Sequence, residues 1–106
     1  MTTRDRAFFG DADHDFHLTD AMIEELERIT GAGIGTLYLR VAHSQYHARE
    51  LVEIIRLGLI GGGMNPQRAA ELAATYAKDR PLAEIFGLAL DVLDALFSGK
   101  PDEVAA

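Results

Sequence analysis

The sequence predicts a mainly α protein, an N-terminal β-hairpin followed by about five helices in a compact bundle. Three observations predict it. The stretch "AEIFGLALDVLDALF" at 83–97 carries only Glu84, Asp91 and Asp94 as charged groups, and at the helical step of about 100° these share one wedge with Gly87 and Ser98. Asn65-Pro66 and Pro81 open two segments as helix starts do, and glycine clusters at 31–35 and 61–63 close two others. Between Asp5 and Leu18, short apolar and aromatic runs flank Gly-Asp-Ala-Asp, the composition of two strands joined by a turn.

The hairpin spans 5–18 and turns over Gly10 to Asp13, with Phe16 and Leu18 on one face of its second strand. An isolated hairpin is marginal in water, so it must lie on helices. Thr19 is a good N-cap for a helix through about Ile29, with Asp20, Glu24 and Glu25 near its positive end and Ile23, Leu26 and Ile29 facing inward. "GAGIG" stops that helix, and a short one follows from Thr36 to about His43. Ser44 to Tyr46 form a connector before a third helix, about His47 to Ile60. On its wheel Arg49, Glu50, Glu53 and Arg56 make a wet side and Leu51, Val52, Ile54, Ile55 and Leu59 a dry one, while Leu57 and Ile60 fall within the wet side. The Ala-rich segment from Pro66 permits close helix approach, and the last helix runs from Pro81 until Gly99 and Pro101 close it. Residues 1–106 read as a single domain: hairpin 5–18, helical bundle 19–99, frayed tail 100–106.

The last helix is apolar over an arc of roughly 240°, where a surface helix needs about 100°. It is therefore touched on more than one side, as the central post of its own domain or by a second chain. It is too short for a membrane span and carries three acids.

Composition narrows the function. A net charge of -7, from 17 acids against 10 Lys and Arg, disfavours nucleic acid, and few aromatics with no Trp disfavour stacking platforms. No cysteine is present, which removes disulfides, thiolate nucleophiles and sulfur-bound zinc. The opening residues lack an apolar signal region, so a cytoplasmic protein is expected.

Local motifs do not assemble chemistry. "GAGIG" follows a helix rather than a strand and has no phosphate-loop lysine, so it reads as a turn. "GGG" reads as a helix stop with a flexible loop. "DADHD" alternates acids like the start of a calcium loop, but Phe16 stands where glycine belongs and Met22 where the bidentate Glu belongs. His14 and His17 fall on opposite faces of a strand, and His43 and His47 are separated by the expected helix break; "HSQYH" lacks the general-base Glu of a zinc protease. Asp91 and Asp94 share a helical face and read as a solvated stripe. No catalytic residue, cofactor or metal is assigned.

The order hairpin, "HLTDAMIEELERITGAG", "ARELVEIIRLGLIGGG", a short capped helix and a final apolar helix ending "ALFSG" resembles the small proteins encoded beside the tail genes of gene transfer agents and related siphophages. This is the tail-assembly-chaperone-like family, also described as a phage tail tube protein. The resemblance implies a non-enzymatic role in tail assembly, through binding the aggregation-prone tape measure or tube subunits before polymerisation. Helices with more apolar surface than one small core absorbs fit the same role, or a homo-oligomer. Leu57, Ile60, Leu88 and Val92, each at or beside a wet wedge, are the expected partner contacts. The rival readings are a small metal-dependent enzyme using His14, His17, His43 and His47, and a stand-alone helical regulatory or interaction module.

Overall fold

Alternation in the first eighteen residues sets the hairpin. The computed structural model describes residues 1–101, and its first elements are antiparallel strands β1 (Arg4–Phe9) and β2 (Ala12–His17). Phe9 and Phe16 are buried toward the helices, as is Asp5, while Arg4, Arg6 and Phe8 point outward. The turn is tighter than the composition suggests. Only Gly10 and Asp11 are unpaired, and Ala12 and Asp13 already face Phe9 and Phe8 across the ladder. Gly10 makes this possible at φ 69°, and a Cβ there would lie 2.4 Å from the Tyr76 ring.

The helices begin where caps can form. In α1 (Asp20–Thr30) the Thr19 hydroxyl accepts from the Met22 N–H at 3.3 Å, and Gly31 closes the helix at φ 72°. Helix α2 (Ile34–Ala42) starts two residues before the expected Thr36, because the Glu27 carboxylate accepts from the Ile34 N–H at 2.8 Å. Helix α3 (Ala48–Gly61) is capped reciprocally by His47 and Glu50, and the Asn65 side chain caps α4 (Pro66–Tyr76) by accepting from Gln67 and Arg68. Helix α5 (Leu82–Ser98) follows Pro81 and ends at Gly99.

The core forms around α3, which packs against β2, α5, α4 and α1. Phe16, Leu18, Leu26, Leu37, Leu51, Ile54, Ile55 and Leu93 are fully enclosed in one cluster. Helix α5 lies against α3, β1, α2 and β2, so much of its wide apolar arc is covered within the chain. The stripe Ile85, Ala89, Val92 and Leu93 is buried, whereas Phe86, Leu88, Leu90 and Leu96 are only half-buried and Leu82 and Phe97 are exposed.

The glycines ending α3 do more than stop a helix. A Cβ on Gly61 would sit 1.7 Å from the His17 carbonyl oxygen, and one on Gly62 would sit 2.0 Å from that of Asp15. The β2 backbone rests directly on the last turn of α3, and only hydrogen at Cα leaves room. One turn earlier Gly58 is crowded by side chains instead, where a Cβ would meet Phe16 at 3.2 Å and Val92 at 3.4 Å. Gly61 and Gly62 are thus a docking ledge for the hairpin, in place of the flexible loop expected from composition, while Gly63 turns the chain at φ 114° with nothing within 4 Å of a side-chain position.

Two further expectations are corrected. Glu50, assigned to the wet side of the third helix, is 2% exposed; its carboxylate accepts from Arg40 Nη2 at 2.6 Å and from the His47 N–H at 2.8 Å. A partner from α2, invisible on a single-helix wheel, draws it inward. Lys100, assigned to the frayed tail, exchanges two backbone hydrogen bonds of 2.8 Å with Thr2, and its ammonium pairs with the buried Asp5 carboxylate. The rest of that tail, 102–106, lies outside the described residues.

Candidate protein-docking surfaces

The four expected contact residues divide by depth. Leu57 is 2% exposed and Val92 1%, both enclosed by the chain's own elements. Their position beside polar wedges is a property of isolated wheels; in the bundle Val92 meets Gly58 on α3 beside Phe16. Ile60 and Leu88 are half-buried at the edge of the core and keep part of their surface open.

The histidines are scattered over four local tasks. His14 lies 3.0 Å from Asp11 beside the hairpin turn, and that hydrogen bond holds the Asp11 carboxyl below its ordinary range. His17 Nε2 bonds the Thr3 hydroxyl at 2.8 Å, while its Nδ1 is buried without a partner among the described residues. Burial, and secondarily the charge of Arg4, lowers its pKa. His43 Nδ1 bonds the Leu39 carbonyl, and His47 caps α3. Among the described residues no three His, Cys, Asp or Glu side chains are grouped to hold a metal ion.

The acids of α5 also have distinct settings. Asp94 accepts from the Tyr38 hydroxyl, which raises the Tyr38 pKa, and the Tyr38 ring stacks on Phe97 at 4.3 Å. The pKa of Asp91 is raised, first by partial burial and then by the negative charge of Asp5, with Lys100 opposing. This cross-talk between β1 and α5 arises because alternation turns Asp5 inward with Ala7 and Phe9. Period two from Phe9 points to Asp5, and that signal was available in the sequence.

Of the hollows on the described surface, three bear on docking. One of about 500 Å³ lies over the outer edge of the hairpin, lined by Thr2, Arg4, Asp5, Asp15 and Lys100, with Asp5 Oδ2 buried beside it without a hydrogen-bond partner among the described residues. A second, about 310 Å³, lies between the hairpin tip and α5, where Phe8 and Leu88 face Tyr76. The third, about 460 Å³, opens between the first turns of α3 and α5 and the connector 77–80. It exists because α4 and α5 both pack near α3 but hardly touch each other. The last two share Ile85 and Arg80, and the Arg80 guanidinium lies 5.7 Å from the Tyr76 ring centre. The large exposed apolar side chains are Met1, Phe8, Leu39, Leu82 and Phe97; the last two stand at the ends of α5, Leu82 at 44% near the third hollow and Phe97 at 43% at the other end.

Among the described residues no helix is long and apolar enough to cross a membrane. Residues 4–99 match the family model described as phage tail tube protein, GTA-gp10. No curated protein and no solved structure gives a significant match.

Proposed function

The chain belongs to the phage tail tube protein, GTA-gp10 family, and from that premise we propose that it is a non-catalytic assembly factor for a phage-like tail. It covers apolar helical segments of another tail protein, such as the tape measure or a tube subunit, until that protein is incorporated. The supporting observation is apolar surface left open along α5 after folding: Leu82 and Phe97 are exposed, and Leu88 and Leu90 are half-buried. Ile60 and Leu88 remain the partner contacts on this reading, with Leu57 and Val92 supporting them from the core.

Co-expression with the tail proteins tests this. Tagged chain recovers the tape-measure or tube protein from lysate and raises its soluble fraction. If neither protein is retained and neither becomes more soluble, the reading fails.

A further inference from the structure

We infer that the hollow between the N-terminal turns of α3 and α5 is a docking site for an apolar side chain carried on an acidic helix of a partner protein. The inference adds a second contact surface, in addition to Ile60 and Leu88, to the assembly-factor role and rests on that reading. Its floor and wall are Val52, Ile85 and Leu82, and its rim carries Arg49, Lys78 and Arg80. Among the described residues, six of the ten cations hold carboxylate partners: Arg6, Arg28, Arg40, Arg56, Arg68 and Lys100. Three of the remaining four surround this one hollow. In a protein of net charge -7, that is a local reversal of sign.

Two acids also border the space. Glu53 is engaged by Arg56 at 2.6 Å, and Asp79 projects from the connector at φ 55°. Cations outnumber acids at the rim, and among the described residues no ion pair must break before an incoming carboxylate meets Arg49 or Lys78. A volume of about 460 Å³ accepts a large aliphatic or aromatic anchor, and partly exposed Leu82 extends the apolar contact outward. Helix-in-groove recognition has this form: apolar anchors at i, i+3 and i+4 enter a hollow while flanking charges set orientation and speed of encounter.

The test uses the full chain and a fluorescent synthetic helix of about 15 residues with Leu at i, i+3, i+4 and i+7 and Glu on the flanks, beside a matched peptide with Lys flanks. The Glu peptide binds, the Lys peptide binds more weakly, and the triple variant R49E/K78E/R80E loses about tenfold in affinity for the Glu peptide. All three positions are exposed, and circular dichroism verifies that the variant is folded. The proposal is overturned if neither peptide binds, if both bind alike, or if charge reversal leaves affinity unchanged. It is equally overturned if the hollow is occupied by a second copy of the chain that the Glu peptide does not displace. Co-expression separates the two levels: a triple variant that still recovers tail proteins sinks this surface and spares the assembly role, whereas peptide binding without tail-protein recovery does the reverse.

Discussion

Glycines carry sharply different loads in this protein. At Gly61 the β2 backbone occupies the place of a side chain, with His17 oxygen 1.7 Å from a built Cβ, while at Gly87 nothing lies within 4 Å. Gly61→Ala must push the hairpin off α3 and is expected to cost about 2 to 4 kcal/mol. Gly87→Ala, on the open wedge of α5, is expected to stabilise by about 0.5 to 1 kcal/mol. Thermal melts of the pair check this; equal shifts would show that β2 does not bear on that turn. Asp91 provides a pH signature. Its folded-state pKa is raised, so the folded form holds the proton more tightly than the unfolded one, and its contribution to stability is full below the ordinary aspartate range and lost as pH rises through the raised value. Asp91→Asn is therefore expected to be neutral or stabilising at pH 7, with the difference between variant and parent changing only across mildly acidic pH. Urea midpoints measured from pH 3 to 7 give the comparison.

Helix boundaries were readable because they are written in local chemistry. Thr19, Gly31, His47, Asn65-Pro66 and Gly99 each satisfy or release backbone groups within a few residues, and the helices end accordingly. Burial was readable only in part. A wheel treats each helix alone, so it identified the dry stripe of α3 but left Glu50 wet and Leu57 open, since both depend on neighbours distant in sequence. Helix α5 shows the same limit: it is broadly apolar because four elements touch it, and the residues left over are at its ends and margins. The contrast gives a prediction. Val92→Asp places an unpaired carboxylate at a site 1% exposed, a cost of several kcal/mol against a total stability of about 5 to 15, so the protein unfolds at room temperature. Leu88→Asp, at a half-buried margin, leaves a folded protein with a lower melting temperature. Far-ultraviolet dichroism distinguishes them, and an unfolded Leu88 variant would place that side chain in the core.

The hollow ringed by cations had no sequence signature, because its walls come from residues 48–53, 77–80 and 82–85 and its opening comes from two helices failing to meet. Assembly at this scale also decides how the molecule is closed. Thr2 and Lys100 sit side by side through paired backbone bonds, with Asp5 and Lys100 locked beneath them, so the fold is already a ring in space although its chain is linear. Order along the chain is then dispensable where the ring can be opened harmlessly, and the exposed Gly31–Gly33 bend is such a place. A circular permutant that joins the segments beyond Thr2 and Lys100 with a short flexible linker and starts at Gly33 is expected to keep the native dichroism spectrum and melt within several degrees of the parent. Loss of cooperative melting would mean that the hairpin must lead the helices into place.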